Sequence, residues 1–380
     1  MTDMRMPRRA FLGRLGAMAG AGIVVPGWLA GCGDDDDSAS GGGDGTSLRF
    51  ENWPGYIDEE TVAAFTADTG VDLTYTESLN DNNEWFARVQ ADLSAGRDPG
   101  ADVVAPSNWL VGRLIGLEWV QELPLDDIPN ASNLVPSLRN PTWDPDGRFS
   151  LPWQSGMTGI AYNVAETGRE LSSVEDLFDP AFSGRIGMLT EMRDTVGLML
   201  LSTGIDPEDA TYEGAEEAFA RLEAAKDDGQ IRQFTGNDYM DDLASGNFVA
   251  CIGWSGDISQ LALDNPDLRF VIPGEGGMRW SDCMVIPNGS QDVAAVARWM
   301  DYVYDPVNAA RIAAYIGYNS PVDGVREVLA DSDDEFERAL AESSLMFPDE
   351  ATLEGLHVFK ALDEEEEALF DERFSSIIGA

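Results

Sequence analysis

Apolar and polar positions alternate after residue 46 with two periods, one typical of strands and one typical of helices. A period of two marks the predicted strands, and apolar residues three and four positions apart mark the predicted helices. In chain order the predicted strands are 48–53, 71–76 and 102–105, and the predicted helices are 58–70, 83–95 and 108–116. Because each strand is followed by a helix, the pattern predicts right-handed crossovers and a mostly parallel sheet flanked by helices.

The same alternation continues after residue 148, and the last ninety residues are mostly helical. The predicted extended segments are 149–163, 185–189, 231–234, 248–254, 268–272 and 284–286. The predicted helices are 174–178, 191–203, 212–227, 258–263, 294–304, 307–316, 334–344 and 362–377. The fold class is therefore α/β, in which ligands bind beyond the carboxyl ends of parallel strands.

The length of the chain indicates a second domain, and its charge indicates an unusually acidic surface. The chain has 380 residues and 43% hydrophobic residues, enough for two globular domains. It carries 69 acidic against 24 basic residues, a net charge of -45, and Lys226 and Lys360 are its only lysines. Acid spread over the whole chain predicts a hydrated, halophilic surface rather than one that attracts a polycation. The lack of a basic patch argues against nucleic-acid binding.

The first 46 residues read as a targeting segment rather than part of the fold. Arg8-Arg9-Ala10-Phe11-Leu12 resembles a twin-arginine export motif, and Leu29-Ala30-Gly31-Cys32 resembles a lipobox. We expect a signal peptide over 1–31, acylation at Cys32, and an acidic tether over 32–46. The mature protein is then predicted to be anchored at the outer face of the cytoplasmic membrane.

Two cysteines remain beyond this segment, Cys251 and Cys283. An oxidising compartment outside the cell would permit a disulfide between them. The sequence leaves open whether they pair or stay as free buried thiols, because it does not give the distance between their Cα atoms.

Two short patterns combine an indole with a carboxylate. They are Trp254-Ser255-Gly256-Asp257 and Trp280-Ser281-Asp282. An aromatic face attracts a cation and covers its methylene groups, and a carboxylate accepts its N–H hydrogen bonds. Glu191 and Asp194 stand three apart on a predicted helix, so they share a face and could hold one ammonium. An ordinary acidic first turn is the alternative for this pair.

Six motifs occur in a fixed order along the chain: 52–57 (NWPGYI), 102–107 (DVVAPS), 190–194 (TEMRD), 254–257 (WSGD), 277–282 (GMRWSD) and 316–321 (IGYNSP). Taken together they resemble the spermidine/putrescine-binding proteins, the extracytoplasmic receptors of ABC polyamine importers. The resemblance implies a two-lobed periplasmic-binding-protein-like clamshell of type II. It places 47–152 and 282–322 in the first lobe, and 153–281 and 323–380 in the second. Crossovers are expected near 152–156, 280–282 and 318–321.

The resemblance also implies which residues contact the ligand. Those expected are Trp53, Tyr56, Ser107, Trp109, Glu191, Asp194, Trp254, Asp257, Trp280, Asp282 and Tyr318. All four tryptophans of this set are predicted to follow strand ends or crossovers, and Asp282 is expected to serve both as ligand and as hinge. Pro54-Gly55 departs from the pattern of close relatives, and a glutamine of spermidine-type sites is missing near Phe359. The choice between spermidine and putrescine therefore stays open.

The resemblance implies a monomeric binding protein, without cofactor or metal, that delivers a polyamine to the permease of an ABC importer. A receptor for another cationic solute such as glycine betaine is the alternative, although betaine needs fewer acids than the four predicted here. An iron carrier is disfavoured by the single histidine, His357. A carboxylate-pair hydrolase needs its acids on opposite sides of a bond, whereas Glu191 and Asp194 point the same way.

Overall fold

The computed structural model describes residues 46–379. The predicted signal peptide, the acylation site Cys32 and nearly all of the predicted tether lie outside these residues. Within the described part of the chain, no helix combines the length and the apolar character that a membrane span requires.

Eleven strands and fourteen α-helices are found in the described residues. The strands are β1 Ser47–Asn52, β2 Asp72–Glu77, β3 Val103–Val104, β4 Val120–Gln121, β5 Ser150–Asn163, β6 Ile186–Leu189, β7 Ile231–Thr235, β8 Ala250–Trp254, β9 Leu268–Val271, β10 Gly277–Pro287 and β11 Leu356–His357. The helices are α1 Glu59–Thr69, α2 Asn82–Leu93, α3 Asn108–Gly116, α4 Val164–Thr167, α5 Met192–Ser202, α6 Glu216–Asp227, α7 Tyr239–Ala244, α8 Ser255–Asp264, α9 Val293–Val303, α10 Pro306–Ile316, α11 Val325–Ala330, α12 Glu335–Ala341, α13 Glu350–Glu354 and α14 Glu364–Ile378. Short 3-10 helices occupy Leu125–Asp127, Pro129–Asn133, Pro136–Leu138, Val174–Phe178, Pro180–Phe182 and Pro207–Asp209.

Local sequence signals account for the ends of several helices. The Asp58 carboxylate accepts a hydrogen bond from the backbone N–H of Thr61 and so caps α1, and Gly70 ends that helix with a φ of 72°. Helix α10 begins after the capping residue Asp305 and ends at Gly317 with a φ of 76°. Both α1 and α10 were predicted within one residue of these bounds.

The strands form one mixed sheet in the order β2-β1-β3-β10-β5-β8-β6-β7, with β4 and β11 also paired to β10 and β9 also paired to β5. Parallel pairs lie towards both ends, β1 with β2 and β3, and β6 with β7 and β8. In the middle, the long strands β5 and β10 run antiparallel, with Trp280 opposite Gly156 and Asp282 opposite Gln154. The predicted α/β class, mostly parallel and flanked by helices, is confirmed.

Two large hydrophobic clusters lie at opposite ends of the β5–β10 pair. Trp153 of β5 packs in a cluster with Phe50, whereas Ile160, seven residues further along β5, packs in the other. A smaller third cluster, which includes Trp85, packs on the strands of the first end. The segment 323–346, which the family resemblance places in the second lobe, packs with the first cluster through buried side chains such as Val325.

The three segments predicted to cross between lobes meet at Ser155. Its backbone is paired with Ser281 of β10 on one side and with Asn319 on the other. The hydroxyls of Ser155 and Ser281 share a hydrogen bond of 2.7 Å, and the Asn319 amide donates to the carbonyls of Leu345 and Met346. These contacts bring the predicted crossovers together at one buried point of the chain.

Both cysteines beyond the predicted targeting segment are buried and free. Cys251 of β8 is paired with Ala161 of β5, and Cys283 of β10 is paired with Pro152 of the same strand. Nine positions of β5 therefore separate them, roughly 30 Å at about 3.3 Å per residue. That distance is far beyond the range of a disulfide, so the free-thiol alternative is correct.

Candidate ligand-binding site

Asp282 lies in the middle of the fold, on the central strand β10 at a register shift between residues 282 and 283. Its carboxylate is 5% exposed. The Ser107 hydroxyl donates to one oxygen at 2.7 Å and the Tyr56 hydroxyl donates to the other at 2.9 Å. Ser107 is held in turn by Asn82, whose amide donates to its hydroxyl at 3.0 Å. Residues after β1 and β3 thus reach β10, as the shared edge of parallel strands predicts.

Strand β10 is longer than predicted, and this corrects one expectation. The sequence predicts a strand only at 284–286, with Trp280 on a crossover outside it. The structure extends the strand from Gly277 to Pro287, so Trp280 stands inside a strand. Because its long antiparallel partner β5 satisfies the backbone groups of this segment, the apolar stretch alone does not set the strand's length.

Asp257 lies in the first turn of α8 and is 9% exposed. Both of its oxygens accept hydrogen bonds from tyrosine hydroxyls, one from Tyr239 and one from Tyr318, each at 2.7 Å. Tyr318 comes from the segment after α10, and Tyr239 begins α7. The Gly256 backbone makes room for the Tyr318 ring, because a Cβ there would lie 2.5 Å from that ring.

Asp194 lies in the first turn of α5 and is 5% exposed. It accepts hydrogen bonds of 2.8 Å from the Thr158 hydroxyl and from the Trp254 indole N–H. The Trp280 indole N–H donates to the same Thr158 hydroxyl at 3.1 Å. The indole of one predicted pattern therefore contacts Asp194 directly, and the indole of the other is linked to it through Thr158.

The three aspartates share an electrostatic environment, because all their donors are neutral side chains. Burial raises the pKa of Asp282 to about 7 and that of Asp194 to about 6, against the opposing effect of their hydrogen bonds. Burial also raises the pKa of Asp257. Glu191, the half-buried residue that caps α5, has its pKa raised to about 8, chiefly by burial. The guanidinium of nearby Arg193 opposes the increase for Glu191 and Asp194 without cancelling it, and a cation in direct contact with the carboxylates would oppose it further.

Aromatic rings pack on one another around these carboxylates. Tyr56 meets Tyr318 edge to face with ring centroids 5.6 Å apart, and Trp280 lies 5.5 Å from Tyr318. Trp254 stands edge-on to Trp280 at 6.5 Å. Gly156 permits this arrangement, since a Cβ there would lie 2.3 Å from the Trp280 ring. The rings and the three carboxylates form one continuous group, which we call the Asp–aromatic cluster.

Two predicted contact residues have other partners in the structure. The Trp53 indole N–H donates to the Ala105 carbonyl at 2.9 Å. One face of Trp109 is covered by the guanidinium of Arg193, 3.7 Å from the ring centre. Arg193 also donates to both oxygens of Glu367, at 2.8 and 2.7 Å. Neither tryptophan makes a ring contact with the Asp–aromatic cluster among the described residues.

Sequence reasoning missed the residues that support the predicted site. Thr158, Tyr239 and Asn82 are buried and donate to it, or to a residue of it. Thr158 lies in a strand that mixes apolar and small polar residues, and Tyr239 lies in a short helix, each without a motif. The available signal was the glycine before Trp254, which marks a place where another side chain approaches the backbone closely.

The site lacks the features of metal chemistry. Within residues 46–379, no group of three or more His, Cys, Asp or Glu side chains is arranged to hold a metal ion. The carboxylates lie near one another but are each occupied by hydroxyl or indole donors. The arrangement is suited to hydrogen-bond and charge recognition of a group with N–H donors.

Relatives of known binding properties cover most of this chain. It is 25% identical over 273 residues to the spermidine/putrescine-binding periplasmic protein 1 of Haemophilus influenzae, covering 72% of this chain and 74% of that one. It is 28% identical over 295 residues to the putrescine-binding periplasmic protein PotF of Escherichia coli, covering 72% and 77%. Both alignments span more than two thirds of each protein.

Solved structures share the fold at lower identity. The substrate-binding protein PotD of a Streptococcus pneumoniae spermidine/putrescine ABC transporter superposes with a TM-score of 0.74 at 24% identity, covering 87% of this chain and 98% of that one. The TpPotD lipoprotein of Treponema pallidum gives 0.75 at 20% identity, covering 88% and 100%. The profile of the bacterial extracellular solute-binding proteins matches residues 60–341, well over half of the chain. This protein therefore belongs to the bacterial extracellular solute-binding protein family, a family of transport proteins rather than of enzymes.

Proposed function

We propose that this protein captures a polyamine in a cleft between two lobes and delivers it to an ABC importer. The proposal takes its ligand class from the names of relatives that bind spermidine, putrescine or cadaverine. It takes its ligand-binding residues from the Asp–aromatic cluster. In this proposal the chain has no catalytic role.

One observation carries the proposal. Asp194, Asp257 and Asp282 are each at least nine-tenths buried, and each accepts only from neutral side chains. A buried carboxylate without a cation is costly, whereas a bound ammonium adds about 4 kcal/mol of attraction for each pair at 4 Å and an effective dielectric of 20. A ligand with two or more ammonium groups supplies the missing charges.

The aromatic rings suit the rest of such a ligand. Ring faces cover methylene groups and attract cations, at about 0.5–2 kcal/mol for each cation–π contact. Trp254, Trp280, Tyr56 and Tyr318 are proposed to form these walls. Trp53 and Trp109 are proposed to support the site from behind, together with Glu191 at its edge.

Ligand-induced closure is the proposed mechanism of capture. The lobes are proposed to be 47–152 with 282–322, and 153–281 with the C-terminal part. We place 323–346 with the first lobe because it packs in that cluster. The contacts around Ser155 are the proposed hinge, since β5, β10 and the segment after α10 meet there. A ligand that bridges both lobes would favour the closed population.

The N-terminal motifs and the acidic surface indicate where, and at what salt concentration, the protein works. The twin-arginine motif and Cys32 favour export and lipid anchoring at the outer face of the membrane, with the protein acting as a monomer. The net charge of -45 favours function in concentrated salt. At 1 M salt the screening length is about 3 Å, so recognition must rely on contact inside a closed cleft rather than on long-range attraction.

Calorimetry on the exported domain, at high and low salt, tests this function. The ligands are spermidine, putrescine, cadaverine and glycine betaine. We expect binding of at least one polyamine with an affinity that persists in high salt. Binding of betaine alone would establish the alternative cationic-solute receptor and contradict a polyamine receptor.

A further inference from the structure

Tyr239 is a buried tyrosine whose hydroxyl joins the two ends of the Trp254–Asp257 pattern. The hydroxyl donates to Asp257 at 2.7 Å and accepts the backbone N–H of Trp254 at 3.0 Å. Its ring meets the Trp254 ring edge-on, with centroids 5.7 Å apart. The side chain is fully buried.

The neighbouring backbone is shaped to admit this ring. A Cβ at Gly253 would lie 2.9 Å from the Tyr239 ring, closer than real Cβ contacts. Glycine at position 253 therefore lets Tyr239 pass beside β8 and reach the start of α8. The Trp254 N–H has no intrahelical acceptor at this helix start, so the tyrosine hydroxyl satisfies it.

We propose that Tyr239 is the positioning residue of the ligand site, fixing the indole of Trp254 and the carboxylate of Asp257 relative to each other. This inference rests on the proposed function, in which those two residues contact the ligand. The hydroxyl holds the Asp257 carboxylate and the Trp254 backbone, and the ring packs edge-on against the Trp254 indole, so a displacement of Tyr239 disturbs both residues.

The same contact favours the ionised form of Asp257. The pKa of Asp257 is raised by burial, and the hydrogen bonds from Tyr318 and Tyr239 oppose that increase. The other ionisable groups nearby are Tyr56, Asp282 and Cys251, which interact with this aspartate, with Tyr318 or with Tyr239. No arginine or lysine within the described residues donates to Asp257, so loss of one hydroxyl is not compensated by a cation.

Tyr239→Phe tests this role, because it keeps the ring and removes the hydroxyl. We expect the Kd for the bound polyamine to rise about tenfold to a hundredfold, the loss typical of a buried hydrogen bond to a charged group. The pH at which affinity falls on acidification should move upward, since Asp257 keeps only one donor. The Trp254 amide of the ligand-free protein should exchange with deuterium about tenfold faster.

The matched control is Tyr162→Phe. Tyr162 is also buried in the cluster that contains Tyr239, and its hydroxyl donates to a carboxylate, that of exposed Glu170. It should leave affinity, the pH dependence and Trp254 exchange unchanged. If Tyr239→Phe does not fold, Gly253→Ala tests the same contact, because the added Cβ would displace the Tyr239 ring. We expect the same rise in Kd, the same shift in pH dependence and the same faster exchange of the Trp254 amide.

The amide exchange separates this inference from the proposed function. If the wild-type protein bound none of the cations, the polyamine proposal would fail, while faster Trp254 exchange in Tyr239→Phe would still support positioning. Unchanged affinity, pH dependence and Trp254 exchange in the variant would overturn the positioning role.

Discussion

Two groups of buried carboxylates in this protein are stabilised in different ways. Asp102 and Glu367 are paired with arginines, Asp102 with Arg49 at 2.7 Å and Glu367 with Arg193 at 2.7 Å. The aspartates of the Asp–aromatic cluster accept only from hydroxyls and indoles. A carboxylate that is paired with an arginine of the protein supports the fold. A buried carboxylate without such a partner can instead pair with a cation of the ligand.

Two further buried aspartates show that the lack of a cationic partner does not by itself identify a ligand-binding carboxylate. Asp58 caps α1, and Asp144 accepts from three backbone N–H groups and a serine hydroxyl. Fixed backbone dipoles therefore stabilise these two carboxylates. The cluster aspartates instead accept from side-chain hydroxyls and an indole, and aromatic rings pack around them.

The largest expected effect on stability comes from breaking an arginine pair. Glu367→Gln leaves the buried Arg193 without its carboxylate, so the free energy of unfolding should fall by about 3–5 kcal/mol. Urea denaturation measures this loss. Glu372→Gln, an exposed position on the same helix α14, is the control and should stay within about 0.5 kcal/mol of the wild type. If the two variants were equally stable, pairing with an arginine would not be what makes a buried carboxylate important for the fold.

The next effect is a pH dependence of the ligand-free protein. Asp194, Asp282 and Glu191 have folded-state pKa values raised to about 6, 7 and 8, above unfolded values near 4. The folded state thus binds more protons, and the free energy of unfolding should fall by about 4 kcal/mol between pH 6 and pH 8.

Urea denaturation at these pH values, with and without saturating putrescine, checks this slope. Surface carboxylates titrate nearer pH 4, so the carboxylates that titrate between pH 6 and pH 8 are the buried ones, and a His357→Asn background removes the single histidine from this interval. The ligand should flatten the slope, because its ammonium groups favour ionised carboxylates. A stability that rises with pH in the ligand-free protein would contradict the assignment of uncompensated charge.

The smallest expected effect concerns one aromatic wall. Trp280→Leu removes a cation–π surface and should raise the Kd for a polyamine about threefold to thirtyfold, equivalent to about 0.5–2 kcal/mol. Calorimetry measures it. Trp119→Leu is the control, since Trp119 is also half-buried but stacks on Phe86 away from the cluster. A comparable rise in Kd for both variants would indicate a general packing defect.

The sequence predicted much of the fold because its signals are local. The capping Asp58, the terminating Gly70 and the alternation of β1 are read directly from neighbouring residues. The length of β10 depends on its pairing with β5, which is remote in sequence, and it was underestimated. The packing of 323–346 with the first cluster depends on tertiary contacts that a local pattern does not encode.

In the candidate site, likewise, residues within local motifs were predictable from the sequence, and residues that act through tertiary contacts were not. The motifs identified Asp194, Asp257 and Asp282, and the structure brings all three into one cluster. The chain gave no local reason to select Thr158 or Tyr239, because their roles arise from hydroxyls that reach across 36 and 18 residues. Sequence also did not reveal that Arg193 covers Trp109, a contact between helices far apart in the chain.

The central claim is that the cationic partner of the Asp282 carboxylate is the ligand and not a side chain of the protein. Its direct test measures both affinity and the free energy of unfolding for Asp282→Asn, beside Asp102→Asn. Hydroxyls both donate and accept, so Tyr56 and Ser107 can accommodate the amide. We expect Asp282→Asn to weaken polyamine binding at least about a hundredfold with stability equal to or above that of the wild type. Asp102→Asn should lower stability by about 2 kcal/mol with affinity unchanged. If Asp282→Asn instead retained affinity and lost as much stability as Asp102→Asn, the account would be wrong.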